Sequence, residues 1–75
     1  MTKKDEKLIT DIFLDEQEYG HTICDFDDEK HDLRAIAEGI GVEYNYDDDG
    51  EMIFKNAREE KRVQECLDYY YELHA

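Results

Sequence analysis

The chain has 75 residues, which is enough for one domain with a small core, so a homodimer or a bound partner is expected to add stability. Twenty-two Asp and Glu against nine Lys and Arg give a formal net charge of −13 at pH 7. A surface this negative repels nucleic acid and anionic membranes and attracts basic protein clefts, so we expect no direct nucleic-acid binding and no membrane binding.

The first predicted element is a helix from Lys3 to Tyr19. Thr2 and Asp5 have the spacing of a capping box, and Gly20 is a typical residue to end the helix. One side of this helix is apolar: Leu8, Ile9, Ile12, Phe13 and Tyr19. A neighbouring side carries acids at spacings of four and three: Asp11, Asp15 and Glu18. This side is either an ordinary solvated face or a first acidic patch.

Residues 21–26 show no helical period, and they are compatible with either a third strand or a packed connection. A second acidic run follows: Asp25, Asp27, Asp28, Glu29 and Asp32. Asp27 or Asp28 is a natural N-cap for a second helix, but one cap needs only one acid. The apolar face of that helix is Leu33, Ile36, Ala37 and Ile40, and Gly39 and Gly41 are predicted to end it.

Residues 42–54 have the alternating pattern of a β-hairpin. A three-residue loop, Asp48-Asp49-Gly50, places Tyr44 opposite Phe54 and Tyr46 opposite Met52. The tip is a third acidic run: Asp47, Asp48, Asp49 and Glu51. Asn45–Gly50 also matches the first half of an EF-hand loop, but the twelfth position is Asn56 rather than an acid. A hairpin turn is therefore preferred to a calcium site.

Asn56 and Glu59 have the spacing of a capping signal for a final helix that runs close to the C-terminus. Its inward stripe is Val63, Cys66, Leu67, Tyr70 and Leu73, and Tyr69 and Tyr71 lie on the two flanks. The prediction is one compact α+β domain over residues 1–75, helix-(strand)-helix-β-hairpin-helix, with the helices packed on one face of a small antiparallel sheet.

The predicted core gathers the apolar residues of all these elements. It consists of Leu8, Ile9, Ile12, Phe13, Ile23, Phe26, Leu33, Ile36, Ile40, Val42, Tyr44, Phe54, Val63, Leu67 and Tyr70.

Catalytic chemistry has little support in the sequence. Cys24 and Cys66 stand where apolar residues are expected, so buried structural thiols are the better interpretation. His21, Cys24 and Cys66 are a weak set of zinc ligands. We expect no catalytic residue, no metal and no cofactor, and hence a protein that is not an enzyme.

The surplus of acid is the main functional indication. Side chains one helical turn or two strand residues apart repeat at about 5.4 Å and 6.6–6.8 Å, and carboxylates on such lattices can approximate a phosphate backbone, whose charges advance about 3.4 Å per nucleotide along one DNA strand. The three acidic runs are therefore candidate binding patches that imitate nucleic acid. Tyr46, Tyr69 and Tyr71 are candidate aromatic anchors that add specificity.

In size, charge and compactness, though not in any motif, the chain resembles the small acidic inhibitors that phages make against host nucleases, restriction enzymes and CRISPR effectors. It is similar in the same respects to the immunity proteins that neutralise nuclease toxins. The resemblance implies a basic nucleic-acid-binding partner, such as a nuclease or CRISPR effector, and transfers no residue roles.

The alternative is a self-associating or adaptor domain whose acidity serves solubility, with Tyr69, Tyr71 and Leu14 forming its surface.

Lys3 and Lys4 are followed by Asp5 and Glu6 rather than by an apolar stretch, and two cysteines make no disulfide framework. The expected location is the cytoplasm, which for a phage-encoded protein means the host cytoplasm.

Overall fold

A computed structural model describes all residues 1–75 and contains three helices and one β-hairpin. The elements in chain order are α1 (Lys3–Tyr19), α2 (Glu29–Ile40), β1 (Tyr44–Tyr46), β2 (Met52–Phe54) and α3 (Ala57–His74). This confirms the predicted α+β arrangement. Residues 21–26 form no strand, so the sheet has two strands and the segment is a packed connection between α1 and α2.

The ends of the helices follow the local sequence. The side chain of Thr2 accepts a hydrogen bond from the Asp5 amide at 3.1 Å, and Asp28 and Asn56 cap α2 and α3 in the same way. Each cap supplies an acceptor to one of the amide groups that a first helical turn leaves unpaired. Gly20 and Gly41 end α1 and α2 in the left-handed region, at φ of 75° and 78°.

Gly39 does not end α2, contrary to the prediction, but lies inside it. A Cβ atom at this position would stand 2.9 Å from Cδ1 of Ile12 on α1. The glycine therefore lets α1 and α2 pack closely, whereas a larger residue would require the end of the Ile12 side chain to move.

The hairpin has the predicted register, with Tyr44 paired with Phe54 and Tyr46 with Met52. Gly50 takes a φ of 80°, and the Asp47 amide donates to the Glu51 carbonyl at 2.9 Å to close the loop. The Asp47 carboxylate also accepts hydrogen bonds from the amides of Asp49 and Glu51 at 2.9 and 2.8 Å. Asp47 is therefore part of the turn as well as part of the acidic tip.

Helices α1 and α3 run parallel. Asp5 at the start of α1 bonds to Arg62 in the first half of α3, and Glu16 near the end of α1 bonds to Tyr70 near the end of α3. Helix α2 runs the other way, because its first turn reaches the last turns of α3 through a hydrogen bond from Tyr71 to Asp32.

The hairpin folds back along α2. The Tyr44 hydroxyl donates to Glu38 at 2.6 Å, near the end of α2, and Lys30 in the first turn of α2 lies 3.1 Å from Glu51. The tip of the hairpin consequently reaches the same end of the molecule as the start of α2.

The core lies between the three helices and the base of the hairpin. Its fully buried members are Ile9, Cys24, Ile36, Ala37, Ile40, Val42, Val63, Cys66, Leu67 and Tyr70. Other predicted core residues are partly buried against it: Leu8, Ile12, Ile23, Leu33, Tyr44 and Phe54. The prediction was wrong for Phe26, which is 47% exposed: its backbone has a φ of 63°, and its ring lies at the edge of the core, 6.0 Å from that of Tyr70.

Candidate functional site

The two ends of the molecule differ in charge. Residues 3–7 and 55–65 meet at one end, where Arg62 bonds to Asp5 and the Met1 amino group lies 2.6 Å from Glu65. These residues, the basic end, hold seven of the nine Lys and Arg against five acids. The rest of the chain has two bases against seventeen acids. Glu38 and Glu43 follow α2 towards the basic end, but most of the other acids, and with them most of the excess negative charge, lie away from it.

Three contacts gather the acidic runs at the opposite end, which we call the acidic end. The Tyr70 hydroxyl donates to the Glu16 carboxylate, whose two oxygens lie 2.5 and 2.7 Å from it, and this contact joins the last turns of α1 and α3. Tyr71 donates to Asp32, which joins α3 to the start of α2. Lys30 and Glu51 then join α2 to the hairpin tip. The acidic end therefore comprises the last turns of α1 and α3, residues 20–28, the first turn of α2 and the hairpin tip.

Most of the predicted acidic residues are exposed and unpaired. Those with exposed side chains are Asp11, Asp15, Glu18, Asp25, Asp27, Asp28, Glu29, Asp47, Asp48, Asp49 and Glu51. Among these eleven only Glu51 forms a salt bridge to a Lys or Arg, and that pair is itself exposed. Asp11 lies in the middle of α1, farther from the acidic end than the others. The field of these carboxylates is therefore almost uncompensated by neighbouring cations.

Asp32 does not belong to this surface, so its predicted place in the acidic patch was wrong. It is fully buried, and one carboxylate oxygen accepts from the amides of Asp25 and Phe26 at 2.7 and 3.4 Å while the other accepts from Tyr71. Burial alone raises the pKa of Asp32, but these hydrogen bonds outweigh it and hold the pKa below its ordinary value. Its role is to position the 20–28 connection.

Two further buried acids, Asp5 and Glu16, were missed by the sequence analysis. With Ile9 and Ile12 they follow spacings of four, three and four along α1, so their positions continued the apolar stripe. A polar residue in an apolar stripe was the available signal. Glu16 also accepts from the Ile23 amide at 2.8 Å, and it lies 3.1 Å from Nε2 of His74.

The three candidate anchors differ in their freedom. Tyr46 is 52% exposed and borders a shallow cavity of about 220 Å³ whose other walls are Asp28, Lys30, His31 and Arg34. Tyr69 is half-buried, with its hydroxyl 2.9 Å from that of Thr10. Tyr71 is half-buried and donates to Asp32. Burial, and after it this hydrogen bond, raises the pKa of the Tyr71 hydroxyl. Only Tyr46 has a ring that is largely free for a partner.

A fourth aromatic side chain at the acidic end escaped prediction. The Phe26 ring lies 6.0 Å from that of Tyr70, 5.5 Å from that of Tyr71 and 5.2 Å from that of His74. An open groove of about 420 Å³ is lined by Phe26, Tyr71, His74 and Ala75. No pattern in the sequence distinguishes Phe26 from a core residue. Its special feature is a positive backbone φ, which a phenylalanine gives no reason to expect.

The two thiols, Cys24 and Cys66, are packed in the core, whereas His21 is exposed. Burial raises the pKa of Cys24 to about 12 and that of Cys66 to about 11, so both are protonated at neutral pH and poor nucleophiles. No group of three or more His, Cys, Asp or Glu side chains is placed to hold a metal ion.

Comparison of the chain with protein-family models, curated proteins and solved structures found no match. No helix of this protein is both long enough and apolar enough to cross a membrane. The arguments for a function therefore depend on the surface of the molecule itself, above all on its acidic end.

Proposed function

We propose that this protein is a non-enzymatic inhibitor that occupies the basic nucleic-acid-binding groove of another protein by imitating the charge of nucleic acid. The observation that carries the proposal is the set of eleven exposed carboxylates, of which one is paired with a base. Asp28 caps α2 and Asp47 stabilises the hairpin turn, but mutual repulsion among so many like charges on so small a body does not favour folding, so binding to a cationic surface is the better account of the remainder.

The scaffold presents these carboxylates in a defined geometry. The exposed acids lie on α1, on the start of α2 and on the hairpin tip. These elements are joined through α3 and α2 by the contacts Glu16–Tyr70, Asp32–Tyr71 and Glu51–Lys30. Because the charges are preorganised, little conformational entropy is lost when a partner binds them. A fixed array can therefore compete with a flexible nucleic acid for the same groove.

The unequal charge of the two ends also favours this function. The basic end carries seven bases against five acids, so most of the excess negative charge lies towards the acidic end. Such a one-sided field orients the molecule as it approaches a cationic groove, and electrostatic steering raises association rates by orders of magnitude at low salt. The proposed partner is a basic nuclease, restriction enzyme or CRISPR effector, as expected of a phage inhibitor acting in the host cytoplasm.

The first test is capture of a partner followed by competition. The immobilised protein is exposed to a bacterial extract at low salt, and the bound proteins are eluted either with salt or with duplex oligonucleotide. We expect a basic nucleic-acid-binding protein that both treatments release, because DNA and the acidic end compete for one groove. A partner that resists both treatments overturns the proposal and favours the adaptor alternative, in which an apolar surface near Leu14, Tyr69 and Tyr71 makes the contact.

The second test compares two variants with the same change in charge. Asp48→Lys with Asp49→Lys reverses two exposed acids at the hairpin tip, and Glu6→Lys with Glu60→Lys reverses two exposed acids at the basic end. The first variant is expected to lose at least tenfold in affinity for the captured partner, and the second much less. Equal losses would show that net charge alone, rather than the acidic end, determines binding. Asp47 is left unchanged because it stabilises the turn.

A further inference from the structure

Phe26 has an unusual backbone for its residue type. Its φ of 63° lies in the left-handed region, where a bulky residue other than glycine is an outlier. Outliers of this kind persist where surrounding contacts impose them, and they are concentrated at functional sites. An Asn or Gly at this position would have met the backbone requirement with less strain, so the aromatic ring calls for its own explanation.

The contacts that impose this conformation come from one buried carboxylate. Asp32 accepts hydrogen bonds from the amides of Asp25 and Phe26 through Oδ1, and from the hydroxyl of Tyr71 through Oδ2. The same side chain thus fixes the backbone that carries the Phe26 ring and the position of the Tyr71 ring beside it. Both aromatic walls of the groove are therefore preorganised.

The groove is open, aromatic and set among acids. Phe26 is 47% exposed, and the walls formed by Phe26, Tyr71, His74 and Ala75 include no Lys or Arg. Asp25 and Asp27, both exposed, adjoin Phe26 in the chain. A cation above the face of an aromatic ring is attracted by the ring quadrupole, and nearby carboxylates add to that attraction.

We propose that this groove is the anchoring site for one arginine side chain of the basic partner, with the guanidinium stacked on Phe26 and its N–H groups directed to the neighbouring carboxylates. The inference rests on the proposed function, since it names the side chain that the acidic end recognises. Arginine fits better than lysine because its planar guanidinium stacks on an aromatic face and is more weakly hydrated than an ammonium group.

The test measures a preference between two peptides of equal charge. Hexa-arginine and hexalysine are titrated into the wild-type protein at one ionic strength, with affinity followed by calorimetry. We expect hexa-arginine to bind about three- to tenfold more tightly, as a stacked guanidinium implies. Phe26→Leu keeps an apolar side chain without the ring, and it is expected to reduce this ratio to less than about twofold.

Tyr46→Leu is the matched control, because it removes a similarly exposed ring from the same acidic end. It is expected to keep the preference for arginine. Equal affinities of the wild type for both peptides, or a preference that survives Phe26→Leu, overturns the assignment of the groove. A second measurement uses the wild-type protein and looks for a nuclear Overhauser contact between the arginine δ-methylene and the Phe26 ring. Its absence at saturation with hexa-arginine also overturns the assignment of the groove.

This experiment and the DNA competition fail independently. Release of a partner by duplex oligonucleotide depends on the whole acidic end, whereas the ratio between the two peptides depends on the aromatic ring. Competition by DNA together with equal peptide affinities retains the proposed function and removes the groove from it. A measurable preference for arginine with no competition by DNA rejects imitation of nucleic acid.

Discussion

Arg62 on α3 donates two hydrogen bonds, each 2.7 Å long, to the two carboxylate oxygens of Asp5 on α1. Asp5 is 1% exposed, whereas the Arg62 side chain is 30% exposed. The hydrogen bonds from the guanidinium hold the pKa of Asp5 below its ordinary value, although burial opposes the shift. The pair aligns the starts of two parallel helices and neutralises one acid inside the protein.

Replacement of Arg62 by alanine is expected to destabilise the protein by about 3 kcal/mol, because it leaves a buried carboxylate without a partner. Lys61→Ala is the matched control, since Lys61 lies in the same turn, is exposed and forms no salt bridge. That change is expected to stay within about 0.5 kcal/mol of wild type. Urea unfolding measures both variants. A similar loss of unfolding free energy in both variants would mean that the Asp5–Arg62 pair contributes no more to stability than an ordinary surface charge.

The buried Asp32 predicts a defined pH dependence. Its pKa in the folded protein is lowered, so ionisation of Asp32 stabilises the fold at pH values above the unfolded pKa, which is about 3.9. That stabilisation is lost as the pH falls through the lower, folded-state pKa. Asp32→Asn cannot ionise, and it is expected to be about 1–3 kcal/mol less stable than wild type at pH 7.

The difference between wild type and Asp32→Asn should stay constant from pH 7 to about 5 and shrink below about 4. Thermal unfolding of both proteins across this range is the measurement. Other acids, including Asp5, are present in both proteins, so their contributions to the pH dependence of stability cancel in the comparison. A difference that is the same at pH 3 as at pH 7 would assign the effect of the substitution to packing instead of charge.

Repulsion among the exposed carboxylates predicts that salt stabilises the isolated protein. Between low and physiological salt the Debye length shortens from about 30 Å to about 8 Å, so carboxylates of different acidic runs are screened from one another. The melting temperature is expected to rise over this range. Asp48→Asn with Asp49→Asn, which removes two charges from the tip, should show a smaller rise. A melting temperature independent of salt would indicate that the acids are too dispersed to interact.

Cys24 and Cys66 are expected to react slowly with alkylating reagents in the folded protein. Both thiols are buried, and burial raises the pKa of each, to about 12 and about 11, so little thiolate is present at pH 8. Iodoacetamide labelling followed by mass spectrometry should show little modification under native conditions and complete modification in urea. Rapid labelling of Cys24 in the native protein would show that the 20–28 connection opens readily.

Local features were predicted well because neighbouring residues determine them. The capping side chains of Thr2, Asp28 and Asn56 act on amide groups three residues away, so spacing located the starts of α1 and α3 and narrowed the cap of α2 to Asp27 or Asp28. The hairpin register follows from the alternation of apolar residues and from a loop that needs Gly50 at positive φ. The sequence did not decide between a strand and a packed connection for residues 21–26, because that segment has no apolar period.

The sequence by itself therefore determined the elements, their ends, the hairpin register and the excess of acid, because each of these depends on composition or on contacts over a few residues. Only the tertiary structure decided which acids are buried, as Asp5, Glu16 and Asp32 are, and that the acidic runs share one end of the molecule. Those outcomes depend on partners such as Arg62, Tyr70 and Tyr71, which are 39 to 57 residues distant. The exposure of Phe26 was not determined by the apolar pattern either, since it accompanies a left-handed backbone whose amide lies 3.4 Å from the carboxylate of Asp32, six residues along the chain.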